Sequence, residues 1–238
     1  GHARATAPAI AQEPSSSLMR GVITGGAIAA TALVVRLVVV SDLLDVPFVR
    51  SPKLDSFEYL EWARRIVAGG GIASAHVPSH APGYPVFLAA LIGLFGESVP
   101  TILRCQALLG AVTSALVAVI AWRAWRSPWV GIGAGALWAT YGPAVVVDAS
   151  LLGEGLLIFF LIAAVAITVL APASTATTIA VGFAIGLGAT VRPTALALLP
   201  VAAFAVPTAS WRRVAASLGL LVLAAGTVVA PIVYLNWR

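Results

Sequence analysis

Several ionisable side chains lie beside long apolar runs of this sequence. Side chains of these types can bind or react with charged groups next to lipid. An ionisable group at membrane depth is costly and usually serves a function. The guanidinium of arginine matches the geometry of a phosphate, and a carboxylate accepts a proton. The candidate residues carry both signs of charge and could together handle a charged lipid head group: Asp55, His80, Arg104, Asp148, Glu154 and Arg192.

Asp55 opens an amphipathic stretch, DSFEYLEWARRIVAG, that predicts a helix. Asp55 and Tyr59 share one face of this helix, and Glu61 and Arg65 form an i,i+4 pair on the wet side. The position of Asp55 suits a helix N-cap as well as a reactive carboxylate, and the two roles are compatible.

Arg192 lies in the sequence ATVRPT, at a proline-marked break between two short apolar runs. It suits a phosphate clamp and equally a snorkelling residue or an ion pair with Asp148 or Glu154. Arg104 can likewise serve as a simple helix anchor. Arg36 interrupts the first apolar run, and we interpret it as a snorkelling or paired residue.

Two histidines, His76 and His80, are spaced i,i+4 in the loop AHVPSHAPGYP. A histidine pair without a neighbouring carboxylate in the sequence is a weak signal for a metal site. We therefore favour a site without metal over one that holds a divalent ion.

Composition places these residues in a membrane protein. Of the 238 residues, 60% are apolar and 10% are charged, and the mean hydropathy is +1.00. A soluble domain carries roughly 25% charged residues, so a soluble enzyme and a disordered chain are both excluded. The single cysteine, Cys105, excludes an internal disulfide scaffold. The net charge of +5 reports membrane topology, and we expect no nucleic-acid partner.

Apolar runs of about 17–25 residues predict membrane-spanning helices. We predict an all-α polytopic membrane helical bundle of about seven transmembrane helices, with amphipathic and re-entrant helices in the first outer loop. Residues 1–19 predict a disordered lead, and residues 20–238 a transmembrane module in which 42–83 form the outer loop and 84–96 a short re-entrant or interfacial helix. The predicted spans are 21–41, 101–122, 129–147, 155–171, 179–189, 193–206 and 214–235.

Three groups of arginines set the predicted orientation: Arg20, the pair Arg123 and Arg126, and the pair Arg212 and Arg213. The positive-inside rule places them on the cytoplasmic side. All three groups fall on one side if the short helix does not span. We therefore predict an integral protein of the bacterial inner (plasma) membrane, with its N-terminus in the cytoplasm and the candidate residues at the outer face.

Several segments in a fixed order carry a family resemblance: LDSFEYLEWARRIVAGGG, PGYPVFLAALIGLFG, ILRCQALLG, SLLGEGLLIFF, GLGATVRPTALALLP and APIVYLNW. From about residue 20 to the C-terminus, the chain resembles the membrane glycosyltransferases of the GT-C superfamily. Within it, the chain is most similar to the branch of protein O-mannosyltransferases and aminoarabinose transferases.

The resemblance implies transfer of a sugar, with inversion, from a polyprenyl-phosphate-linked donor to an acceptor at the outer membrane face. The donor is a substrate, no cofactor is implied, and the partners are membrane lipids and the polyprenyl-phosphate lipid. Asp55 would match the family's catalytic carboxylate, and Glu154 a recurring acid at the start of a span. The other matches would bind substrate: Tyr59, His80 and Asp148, with Arg192 and Arg104 on the lipid phosphate.

Two departures from the family favour a second hypothesis. Leu235-Asn236 stands where family members often carry Arg-Asn, and the sequence stops at Arg238, where relatives continue into further spans or an outer domain. We expect a fragment or a shortened descendant. The alternative function is a catalytically inactive GT-C-like module that serves as a structural subunit, with other membrane protein subunits as partners. A small transporter fits poorly, because the halves show no inverted repeat.

Overall fold

The structure, a computed structural model, describes residues 14–46, 53–72, 80–205 and 210–237. In these residues every regular element is a helix, which confirms the all-α prediction. The elements are α1 (Pro14–Leu43), α2 (Asp55–Val67), α3 (Gly83–Phe95), α4 (Val99–Trp125), α5 (Pro128–Thr140), α6 (Gly142–Asp148), α7 (Glu154–Leu170), α8 (Thr175–Val191), a 3-10 helix (Pro193–Ala197), α9 (Leu198–Phe204) and α10 (Trp211–Trp237).

Three helical segments of the described residues are long and apolar enough to cross a membrane: Ile23–Leu43 of α1, the whole of α4, and Trp211–Leu235 of α10. A fourth crossing follows if α5 and α6, which pass the test together, act as one span. These apolar helices indicate a membrane protein. The seven predicted spans are not confirmed, because three of them correspond to α7, α8 and Pro193–Phe204, which have 17 residues or fewer.

Helices α1, α4 and α5 pack through small residues and run in alternating directions. Gly21 of α1 lies against Trp122, near the end of α4. Gly131 of α5 also lies against Trp122, and Gly135 lies against Ala118 one turn earlier in α4. Small residues let helix backbones approach closely, which is the usual basis of packing inside a membrane.

The predicted span 129–147 is two helices rather than one. The axes of α5 and α6 differ by 56°, and the bend lies where Tyr141 and Gly142 precede Pro143. Proline lacks the backbone N–H of a helix ladder and its ring clashes with the preceding turn. A straight helix therefore cannot continue from α5 through this position.

Helices α8 and α10 run side by side in the same direction. Gly182 of α8 packs on Leu221 of α10, and Gly186 packs on Ala225. The chain returns between them through the 3-10 helix and α9, which confirms the predicted helix break at Arg192.

The amphipathic helix predicted within the outer loop, 42–83, is present as α2, and the short helix predicted at 84–96 is present as α3. Gly83, at the start of α3, lies so close to Thr190 of α8 that a Cβ atom would overlap it. Tyr84 is buried in a cluster that joins α3 to α1, α2 and α4. These contacts place α2 and α3 at the end of the bundle where α8 ends.

The predicted disordered lead, 1–19, was wrong for its last residues. Helix α1 begins at Pro14, a residue that suits the first position of a helix because its missing N–H would have no partner there. Residues 1–13 lie outside the described part of the chain, and so does His76.

Candidate functional site

Helix α2 presents its acidic first turn and Tyr59 toward α3. Asp55 and Glu58 lie in this first turn, where the positive end of the helix dipole favours carboxylates. The prediction of Asp55 as N-cap was wrong: Leu54 occupies that position, with no side-chain cap. The Asp55 carboxylate is therefore not committed to backbone N–H groups of the cap, and its side chain is about half exposed.

His80 joins three side chains of α2. Its Nε2 atom lies 3.6 Å from Oδ1 of Asp55 and 3.4 Å from Oε2 of Glu58. Its Nδ1 atom lies 3.4 Å from the Tyr59 hydroxyl. One imidazole thus faces two carboxylates on one side and a phenol on the other, an arrangement suited to accepting and passing on a proton.

The ring of Tyr59 packs against a buried chain of hydrogen-bonded side chains. Its ring meets that of Tyr84 edge to face, with 5.0 Å between the centroids. The Tyr84 hydroxyl donates to Oε1 of Gln106 at 2.7 Å. Gln106 in turn donates to the backbone oxygens of Asp148 at 3.3 Å and Ser150 at 2.7 Å. This chain ties α3 and α4 to the segment that leads into α7.

Arg192 and Glu154 form an ion pair at the meeting point of α7 and α8. Gly153, just before α7, lies against Val191, the last residue of α8, so the two helices are antiparallel and their ends coincide. Nη2 of Arg192 donates to Oε1 of Glu154. The Arg192 side chain is 51% exposed and that of Glu154 31%, so the guanidinium remains accessible to a ligand.

The ionisable groups of α2, His80 and the Arg192–Glu154 pair lie on the side of the bundle where Tyr59 is found. Burial raises the pKa of the Tyr59 hydroxyl above its ordinary value, and the charges of Glu154 and Asp55 raise the pKa further, whereas Arg192 lowers it. The packing supports this arrangement. Gly153, which precedes Glu154, lies against Tyr84, and the Tyr84 ring contacts Tyr59. Val191, which precedes Arg192, belongs to the same buried cluster as Tyr59. We call this set the Tyr59 cluster: Asp55, Glu58, Tyr59, His80, Glu154 and Arg192.

No family model, curated protein or solved structure matches the chain. Its function therefore has to follow from the chemistry of its residues.

Two candidate residues lie apart from the Tyr59 cluster. Asp148 is 6% exposed and forms an ion pair with Arg36, whose Nε atom lies 2.7 Å from Oδ2 of Asp148. This contact agrees with the interpretation of Arg36 as a paired residue. Arg104 is exposed on α4 and makes no ion pair within the described ranges. The structure thus brings together five of the seven candidate residues.

Three residues of the site were missed in the sequence: Glu58, Tyr84 and Gln106. Glu58 is three residues after Asp55, so helix spacing alone puts the two on one face. Gln106 is a polar residue within an apolar run, which is the usual sign of a buried hydrogen-bonded group. Tyr84 gave no signal beyond its place before Pro85.

The Tyr59 cluster offers a proton acceptor beside an anion-binding group. Among the described residues, no group of three or more His, Cys, Asp or Glu side chains is arranged to hold a metal ion. Carboxylates, an imidazole and a half-exposed guanidinium are suited to deprotonating a hydroxyl and binding a phosphate.

Proposed function

We propose that the chain is a membrane glycosyltransferase of the GT-C type, which transfers a sugar from a polyprenyl-phosphate-linked donor to an acceptor at the outer membrane face. The observation that carries this proposal is geometric: Tyr59, on the same helix as Asp55, shares one buried cluster with Val191, the residue before Arg192. A general base and a phosphate-binding group then lie at the same end of an apolar bundle. A lipid-linked phosphosugar requires both groups within one substrate's reach.

In the proposed mechanism, Asp55 orients the acceptor hydroxyl and accepts its proton as the hydroxyl oxygen attacks the anomeric carbon. The bond from that carbon to the phosphate oxygen breaks on the opposite face, and the polyprenyl phosphate leaves with the electron pair. The configuration at the anomeric carbon is therefore inverted. His80, 3.6 Å from Asp55, is placed to pass the proton on to water.

Arg192 binds the phosphate of the donor and of the leaving group. Only its Nη2 atom donates to Glu154, so the N–H groups on Nε and Nη1 remain for phosphate oxygens. Glu154 fixes the orientation of the guanidinium before the donor arrives. This positioning role fits its place at the first residue of α7.

The proposal includes a topology in which all seven helical passes cross the membrane. The support is geometric: the Tyr59 cluster lies at one end of α7 and α8, and exposed arginines lie at the other end of α4 and α10. The positive-inside rule then assigns the cluster to the outer face of a bacterial inner membrane.

The decisive experiment compares Asp55→Asn with Asp42→Asn in the full chain, purified and reconstituted with polyprenyl-phosphate-linked mannose or aminoarabinose. Asp42 is an exposed carboxylate at the end of α1, outside the cluster. We expect Asp55→Asn to abolish transfer while thermal stability and donor binding stay normal, and Asp42→Asn to retain activity.

Near-normal turnover in Asp55→Asn would contradict the assignment of the base. A wild-type chain that neither binds nor consumes any such donor, yet co-purifies in fixed proportion with other membrane proteins, would instead support the structural-subunit hypothesis.

A further inference from the structure

A second pocket lies at the other end of the bundle from the Tyr59 cluster. It is a cavity of about 540 Å³ between the turn that joins α7 to α8, the end of α9 and the first turns of α10. Helix α8 has 17 residues, so Thr175 at its start lies about 25 Å from Arg192 beyond its end. The pocket is thus separate from the proposed glycosyltransferase site.

One wall of this pocket carries hydrogen-bond donors that have no partner among the described residues. Arg213 makes no ion pair with any described residue, and the hydroxyls of Thr175 and Ser217 make no hydrogen bond within the same ranges. By contrast, the nearby hydroxyls of Thr177 and Thr178 donate to backbone oxygens. A cation and two free hydroxyls facing one cavity are suited to an anion such as a phosphate.

The deeper wall is apolar. Val181 lies six residues after Thr175 on α8, and Leu220 and Leu221 lie seven and eight residues after Arg213 on α10. These positions are about 9–12 Å further along their helices than the polar residues. A free phosphate would use the polar wall alone, whereas a phospholipid would use both walls.

Aromatic side chains place this end of the bundle at the depth of lipid head groups. Trp211, next to the pocket, is 74% exposed and meets Phe204 edge to face at 5.7 Å. Trp125 and Trp129, which belong to the same end, are 69% and 79% exposed. Exposed tryptophans gather at the membrane–water interface, because their rings are apolar and their N–H groups need a polar partner.

From these observations we infer that the pocket binds one anionic glycerophospholipid. Its phosphate contacts Arg213, Thr175 and Ser217, and one acyl chain follows Val181, Leu220 and Leu221 into the membrane. Basic pockets between membrane helices on the cytoplasmic side are suited to anionic head groups. This inference does not depend on sugar transfer at the other end.

The test is a titration of the full chain, in a neutral detergent, with phosphatidylglycerol, followed by native mass spectrometry. We expect one saturable site that phosphatidylcholine fills more weakly. Arg213→Gln should weaken phosphatidylglycerol binding by about fivefold, since one arginine near an anionic lipid is worth roughly 1 kcal/mol. Arg212→Gln is the matched control: it removes the same charge from the adjacent residue, which does not line the pocket.

A second variant tests the cavity without changing charge. Ala216 lines the pocket, and Ala216→Phe should fill it and abolish the saturable site even if Arg213→Gln folds poorly. Equal losses in Arg212→Gln and Arg213→Gln, or normal binding in Ala216→Phe, would overturn the proposal. Competition by inorganic phosphate at the same concentration as the lipid would also overturn it, because the ligand would then be a free anion.

Discussion

Arg192 donates to Glu154 through Nη2, and the rest of its guanidinium makes no other ion pair among the described residues. An arginine paired on one edge is held in a fixed orientation while its other edges can still bind a ligand. The two sequence interpretations of Arg192, ion pair and phosphate clamp, are therefore compatible in this geometry. The contact with Glu154 supplies the orientation that the clamp would need.

The phosphate role of Arg192 is tested by Arg192→Gln, with Arg104→Gln as its control. Hydrogen bonds to charged groups contribute about 1.5–3 kcal/mol, so Arg192→Gln should weaken binding of undecaprenyl phosphate by at least about tenfold. Arg104 carries the same charge at the same end of the bundle but lies outside the Tyr59 cluster. Its substitution should change the dissociation constant, measured by titration of the solubilised chain, only slightly. Equal losses would show that net charge, and not the cluster, attracts the lipid.

The residues of the site that the sequence revealed are those whose type is unusual for their surroundings. Asp55 stands out because it opens the amphipathic stretch, His80 because the chain has only three histidines, and Arg192 because charge is scarce in the apolar runs. Asp148 stood out for the same reason, yet its partner is Arg36, 112 positions away. A pairing between residues so far apart in the sequence leaves no local signal. The position of Asp148 outside the cluster therefore becomes visible only in the packing of α1 against α6.

At the scale of the elements, Arg64 and its two glutamate partners form a charge clamp that connects helix α2 to the turn between α3 and α4. Arg64 pairs with Glu61 on its own helix and with Glu97 between α3 and α4, with Nε of Arg64 3.0 Å from Oε1 of Glu97. The sequence pattern predicted Glu61 with Arg65 instead, and Arg65 is exposed. Glu61 pairs with Arg64, three residues later, and not with Arg65, because Arg64 is the arginine that also contacts Glu97.

The clamp makes stability depend on pH. Hydrogen bonds from Arg64 hold the pKa of Glu97 below its ordinary value of 4.5. A lowered folded-state pKa stabilises the fold above the ordinary value, and that contribution is lost as the pH falls through the lower, folded pKa. Glu97→Gln should therefore lower the thermal unfolding midpoint slightly at pH 7. The free energy of unfolding should fall by no more than about 1 kcal/mol, because the ion pair is partly exposed.

The difference between wild type and Glu97→Gln should disappear in acid, below the range in which Glu97 titrates. Arg65→Gln, the neighbouring arginine outside the clamp, should leave the midpoint unchanged at both pH values. A Glu97→Gln deficit of the same size in acid as at pH 7 would mean that the charge of Glu97 is not its cause.

The contact between α1, α4 and α6 depends on a missing side chain. A Cβ atom at Gly110 of α4 would overlap both Oδ2 of Asp148 and Nε of Arg36, so Gly110→Ala should displace the buried ion pair. Overpacking of this kind costs about 1–3 kcal/mol. Gly26 of α1 has no atom within 4 Å of the same position, and Gly26→Ala should be neutral or slightly stabilising. Thermal unfolding in detergent measures both, and equal effects would refute the steric argument.

Helix positions were largely predictable because apolar runs and proline breaks are local signals. The amphipathic helix α2, the short helix α3 and the break at Arg192 all followed from them. The bend between α5 and α6 was missed although Gly142 and Pro143 mark it, because the apolar run continues through them. The number of membrane crossings is harder to predict from the sequence. Helices α7 and α8 have 17 residues each, and an apolar run of this length suits either a short span or a buried helix.

At the scale of the whole molecule, the two ends of the bundle differ in chemistry. One end carries the Tyr59 cluster, in which carboxylates outnumber the single arginine. The other end carries exposed arginines and tryptophans, including Arg123, Trp125, Trp211 and Arg213. A basic rim is typical of a cytoplasmic interface, whereas exposed tryptophans are typical of either interface. Such a polarity is expected of a protein that takes its substrates on one face and contacts anionic lipid on the other.

This polarity predicts which single cysteines a membrane-impermeant maleimide can reach in intact cells of a bacterial expression host. In a Cys105→Ser background, Asp42→Cys lies at the cluster end of α1, Arg123→Cys at the opposite end of α4, and Ala173→Cys in the turn between α7 and α8. If all seven passes cross, Asp42→Cys reacts in intact cells, and the other two react only after permeabilisation. Ala173→Cys is the discriminating position: if α5 and α6 cross together but α7 and α8 do not, it reacts in intact cells as Asp42→Cys does. Labelling of Arg123→Cys but not Asp42→Cys in intact cells would invert the orientation and place the Tyr59 cluster in the cytoplasm, where an outer-face sugar transfer could not take place.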